Sequence, residues 1–116
     1  YTDHIAAIVA IEPGGAPSAD SLDFHTVLSK NIPVTMYFGD YIDNGDPTIP
    51  ATGMWQMMRQ ACYDFEAAYN ALGGNCTVVD LPQEGITGND HFMFQDLNND
   101  VIAQHIENWI QENAAL

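Results

Sequence analysis

A glutamate, two aspartates and a histidine are spaced along this 116-residue chain so that they could assemble a general base and the carboxylate that orients it. Glu12 follows one apolar run in Ala10-Ile11-Glu12-Pro13, Asp40 and Asp43 follow a second in Phe38-Gly39-Asp40-Tyr41-Ile42-Asp43, and His91 comes after a third in Thr87-Gly88-Asn89-Asp90-His91. In a parallel α/β sheet, reactive groups gather just beyond the carboxyl ends of the strands, which puts all four at one rim. A carboxylate bonded to one imidazole nitrogen sets the tautomer and stabilises the imidazolium, leaving the other nitrogen free to move a proton. Plainer readings stand beside these. Glu12 can be an ordinary turn carboxylate held extended by Pro13, and His91 a surface or capping residue of its loop.

A nucleophile to go with that pair is missing. No Gly-x-Ser-x-Gly occurs, and Ser18, Ser21 and Ser29 do not fall at a strand-to-helix elbow. Cys62 lies on the buried stripe of a helix and Cys76 begins a strand at the rim opposite His91, so neither thiol is placed to attack. A calcium reading of Asp96, Asn98, Asp100 and Glu107 meets positions 1, 3, 5 and 12 of an EF-hand loop. It fails at Val101, where the loop needs glycine for its sharp turn. Asn98, Asn99 and Asp100 are better read as caps of a final helix, with Asp96 near its positive end. His4, His25 and His105 have no metal-type spacing, so no metal site is expected. Met54 and Trp55, with Met57 and Met58 beside them, follow the second apolar run and could line a substrate pocket at the rim, core packing being the alternative.

The elements that must position these residues are legible from periodicity. Ile5 to Ile11, Val34 to Gly39 and Cys76 to Leu81 are short apolar runs, the first two nearly continuous, as strands covered on both faces are. Between the second and third, Met58, Cys62, Phe65, Tyr69 and Leu72 recur every three or four residues before Gly73-Gly74 ends the segment, which predicts a long amphipathic helix. Val101, Ile102, Ile106, Trp109 and Ile110 predict a closing helix, and residues 18–30 a weaker one after the turn-rich Glu12-Pro13-Gly14-Gly15. The order β-α-β-α-β-α calls for an α/β fold of three parallel strands with flanking helices. Such a sheet is incomplete, because its first strand is an edge with apolar residues on both faces.

Composition narrows the partners. Sixteen acidic residues against two basic ones give a net charge of −14, which disfavours nucleic acid and anionic membrane surfaces. No apolar run approaches the ~20 residues that span a bilayer. The length is that of one domain or part of one, and the opening at Tyr1, five residues from an apolar run, predicts a cut inside a larger polypeptide. Asn75-Cys76-Thr77 is an N-glycosylation triplet and, with the acidity, predicts a secreted protein. Cys62 and Cys76 do not form a disulfide framework by count, and each could be a buried thiol or bridge to upstream sequence.

Three segments go further. Ala10–Gly15 (AIEPGG), Ile32–Asp43 (IPVTMYFGDYID) and Ala71–Ile110, with its Gly88-Asn89-Asp90-His91-Phe92-Met93-Phe94-Gln95-Asp96 stretch, resemble the C-terminal part of α/β-hydrolases. More narrowly, they resemble a branch of secreted serine esterases whose triad acid is a glutamate after the sixth strand. The resemblance covers essentially residues 1–116 as the C-terminal portion of one hydrolase domain. It implies Glu12 as the acid, His91 as the base, and an upstream half as the partner that supplies the nucleophilic serine and oxyanion-hole donors. Asp43 or Asp40, at the more usual position for the acid, is the rival. The implied reaction is hydrolysis of a small carboxylic ester without cofactor or metal, the isolated chain being inactive. The alternative is a non-catalytic binding or structural subunit on the same scaffold.

Overall fold

The computed structural model describes residues 2–114. Three strands, β1 (Ile8–Ile11), β2 (Val34–Phe38) and β3 (Cys76–Asp80), form one parallel sheet in the order β1-β2-β3. Ile8 lies opposite Val34, and Val34 opposite Cys76, so the strand ends line up at Ile11, Phe38 and Asp80. The first strand is shorter than its apolar run. The register would pair Ala7 with Pro33, which has no N–H to extend the ladder, and Ile5 instead bonds back to Thr2 in a short turn.

Side chains alternate between the two faces of the sheet, as the period of two demands. Ile8 and Ala10 of β1, Val34, Met36 and Phe38 of β2, and Cys76 and Val78 of β3 belong to one apolar cluster. Val9, Ile11, Tyr37 and Val79 belong to the other. Helices α1 (Leu22–Ser29) and α3 (Pro50–Ala71) cover the first face with Phe24, Cys62, Phe65 and Tyr69. On the second face, α4 (Asn99–Asn113) contributes Ile102 and Ile106. A single turn, α2 (Tyr41–Asn44), joins β2 to the approach to α3 and went unseen in the sequence because four residues carry no periodicity.

Local chemistry explains where the helices stop and start. Ser21 caps α1 by accepting a hydrogen bond from the Phe24 N–H at 3.2 Å, and Pro50 opens α3, where an N–H would have no partner. After α3 the chain turns at Gly73, with φ at 89°, and the Gly74 N–H returns to the Tyr69 carbonyl at 2.8 Å. A Cβ on Gly74 would sit 2.2 Å from the Tyr69 ring, so only glycine fits. At α4, Asn98 occupies the cap position but its side chain makes no capping bond. The expected cap is drawn into the histidine loop instead.

Strand β2 is buried along its whole length, whereas all four residues of β1 are only half-buried. Ile8 and Glu12 turn their N–H groups to β2, so the alternation leaves those of Val9 and Ile11 on the outer edge. Apolar hollows flank this edge on both faces. One, of about 180 Å³, is lined by Ile8, Ala10, Phe24, Val34 and Met36; the other, of about 260 Å³, by Ile11, Phe94, Ile102 and Ile106. Among the described residues, no helix is long and apolar enough to cross a membrane.

Candidate active site

Glu12 is the first residue past β1 and still bonds into the sheet, its N–H donating to the Tyr37 carbonyl at 2.8 Å. Its φ is 44°, the left-handed region, which corrects the expectation that Pro13 keeps it extended. A non-glycine residue there is strained and persists only where its surroundings hold it. Two bonds do so. Glu12 Oε1 accepts the Gly39 N–H at 2.6 Å, and Glu12 Oε2 accepts from Nδ1 of His91. The side chain is 1% exposed, so a carboxylate otherwise costly to bury has both oxygens satisfied.

His91 arrives from the far side of the sheet on a loop built for the purpose. Gly85 and Gly88 take φ values of 80° and 87°, positions that favour glycine. The Gly88 N–H donates to Asp40 Oδ2 at 3.1 Å, fastening the loop to the end of β2. Fully buried Asn89 donates to Asp96 Oδ2 at 2.9 Å and to Asn98 Oδ1 at 2.7 Å, and accepts from Asn98 Nδ2 at 3.0 Å. Asp96 also accepts the Asp90 N–H at 3.1 Å. Asp96 and Asn98, two of the side chains that looked like calcium ligands or helix caps, thus cross-link the loop that carries His91.

The imidazole is one-third exposed. Its Nδ1 edge meets Glu12, and one of its faces lies on the Trp55 indole, with ring centroids 3.9 Å apart and planes 24° from parallel. With the glutamate ionised, Nδ1 carries the proton and Nε2 presents a lone pair. The ring is thus held on two sides, at its Nδ1 edge and on one face.

The other candidates are placed as follows. Asp40 is committed to Gly88, and Asp43 holds Arg59 by two bonds, at 2.7 and 2.8 Å. Neither hydrogen-bonds the imidazole. Met54 is 52% exposed on the same turn of α3 as Trp55. Asn75 is exposed, its side-chain amide donating to Asn113 Oδ1 at 3.0 Å. Cys62 and Cys76 are free buried thiols, and burial pushes them up to about 11 and about 12. His105 Nδ1 pairs with the Tyr37 hydroxyl at 2.9 Å on the second face of the sheet.

Sequence reasoning missed Arg59. Its guanidinium also reaches Oδ2 of Asp80, the last residue of β3, at 3.3 Å. The hydrogen bond from Arg59 holds the Asp43 carboxyl below its ordinary value, while burial pushes the Asp80 carboxyl up. The available signal was rarity: Arg59 is one of two basic residues in the chain. Gly39 was also missed, since nothing in its type announces a backbone donor.

The chain is similar to the solved structure of a novel bacterial esterase, with 36% sequence identity and a TM-score of 0.77 over 92% of this chain. It therefore has an esterase-like α/β fold, and it spans 30% of that esterase's length. No family model matches the chain, and no curated protein matches it.

Proposed function

We propose that this chain is the C-terminal portion of a carboxylic-ester hydrolase, supplying the acid and the base of a Ser-His-Glu triad whose serine lies on an upstream portion of the fold. The observation that carries this reading is the bond between the buried Glu12 carboxylate and His91 Nδ1, made at the strand-end rim of a chain 36% identical to a bacterial esterase. The unpaired edge of β1 and its apolar flanks support an upstream half as the neighbour. Secretion, with Asn75 as a glycan acceptor, belongs to the same reading.

In the proposed reaction, a serine hydroxyl attacks the ester carbonyl as Nε2 of His91 takes its proton. Glu12 keeps the ring in the productive tautomer and stabilises the imidazolium while the tetrahedral intermediate forms. Collapse of the intermediate breaks the bond to the alcohol, which leaves with the proton from Nε2. Water then attacks the acyl-enzyme, again deprotonated by His91, and the acid is released. Trp55, stacked on the imidazole, and its exposed neighbour Met54 are assigned to the substrate pocket, and no cofactor or metal enters the scheme.

The test uses the polypeptide, or pair of polypeptides, in which this chain occurs with its upstream portion. A fluorophosphonate should label one serine there, and a small chromogenic ester should be turned over. His91→Ala should lower turnover by at least about a thousandfold without unfolding the protein. If no serine is labelled and no ester is cleaved, the chain is instead part of a non-catalytic binding or structural subunit.

A further inference from the structure

We propose that Trp55 is a positioning residue for His91, its indole face fixing the plane of the imidazole and stabilising the protonated ring through a cation–π contact. The stack is close and nearly parallel, with centroids 3.9 Å apart and planes 24° from parallel. Tryptophan is the strongest cation–π acceptor among the side chains, and the contact acts within about 6 Å of the ring centroid. At the observed separation an imidazolium lies well inside that range.

The indole is itself immobilised. Trp55 packs against the core that fills the first face of the sheet. Its neighbour Gln56 donates to the Ile42 carbonyl at 3.1 Å, and Arg59, one turn further along, is tied to Asp43. These contacts fasten the start of α3 to α2, so the indole acts as a fixed plate. A carboxylate at Nδ1 defines one edge of the imidazole but still allows the ring to swing about that bond. Stacking on one face removes the swing and leaves Nε2 directed away from both restraints.

The charged groups around His91 come from every element packed on it. Glu12 follows β1 and touches Nδ1; Asp40 follows β2 and holds Gly88; Asp90 and Asp96 lie in the histidine's own loop. On α3, one turn on from Trp55, Arg59 is matched by Asp43 and Asp80. The carboxylates favour the imidazolium through charge, whereas Trp55 does so through the face of a neutral ring. Its contribution is therefore separable by substitutions that leave every charge in place.

The experiment is an NMR titration of ring-labelled histidine in the full polypeptide, with the His91 signals assigned by their loss in His91→Gln. In the unsubstituted protein the His91 ring protons should lie upfield, under the indole ring current. In Trp55→Leu that displacement should vanish and the titration midpoint should move down by about half a pH unit. Trp55→Phe should restore part of both effects. His91 signals without upfield displacement in the unsubstituted protein would overturn the stack, whatever the folding of the variants. An unmoved midpoint in Trp55→Leu or, where that variant fails to fold, in Trp55→Phe would overturn the electrostatic role. The readout does not pass through ester cleavage, so its failure and that of the proposed reaction are distinguishable.

Discussion

Gly39 and Glu12 meet across the ends of neighbouring strands, the Gly39 N–H donating to Glu12 Oε1 at 2.6 Å. On its other side Gly39 abuts the loop that carries His91: a Cβ there would lie 2.4 Å from the Asn89 carbonyl oxygen. One residue without a side chain thus holds the carboxylate with its backbone and admits the histidine loop with its bareness. Gly39→Ala should push the loop off the rim, costing about 2 kcal/mol of stability. Thermal melts read the stability, and the His91 ring signals read the loss of the contact with Glu12. A variant with unchanged melting and unchanged His91 signals would show that the close approach does not matter.

Glu12→Gln keeps the acceptor for Gly39 but removes the charge opposite Nδ1. In the assembled hydrolase it should lower kcat by roughly a thousandfold with little change in KM, since it acts on the developing imidazolium and not on substrate binding. Parallel assays of Asp43→Asn and Asp40→Asn separate the three acids. A larger loss of kcat from either aspartate, with the loop intact, would move the acid's role away from Glu12.

Asn89→Ala removes a buried hub between Asp96 and Asn98 and leaves both with unmet partners. A loss of about 2 kcal/mol is expected. Faster amide exchange should be confined to residues 87–98, which hydrogen-exchange mass spectrometry resolves. Exchange spread evenly over the sheet would contradict a local role.

Arg59→Leu strands the Asp80 carboxylate, whose side chain is only 7% exposed. The cost should be about 3 kcal/mol at pH 7 and should shrink on acidification. Two effects run the same way. The Asp80 carboxyl, pushed up by burial, takes a proton as the pH falls and then no longer needs the cation. The Asp43 carboxyl, held below its ordinary value by Arg59, stabilises the fold above about pH 4 and loses that contribution as the pH falls through its depressed folded value. Denaturant melts from about pH 7 to about pH 3 test this. A cost independent of pH would mean that packing, not charge, sets the role of Arg59.

Cys62 and Cys76 should resist alkylation in the native protein at pH 8, because thiols pushed up to about 11 and about 12 hold almost no thiolate. Both should react once the protein is denatured. Rapid labelling of either in the native state would mean that the core around α3 opens readily.

The three strands, their parallel sense and the long third helix were legible because they depend on local pattern: apolar runs too short for helices, a period of 3.6, and Gly73-Gly74 as a stop. The rim shared by Glu12, Asp40, Asp43 and His91 followed from topology alone. Which carboxylate meets the imidazole did not follow. Asp40 and Asp43 also follow the end of a strand, and only packing sends one to the Gly88 N–H and the other to Arg59. The left-handed backbone of Glu12 ran against its local preference before proline, because two tertiary bonds outweigh that preference.

By its sequence alone, this chain determined the order of its elements and the edge at which its reactive side chains gather, since both arise from the periodicity of burial along the backbone. Pairing at that edge was decided by the tertiary structure. The bond between Glu12 and His91 joins residues far apart in the chain, and its partners are selected by close approaches at Gly39, Asn89 and Trp55 that no local pattern encodes.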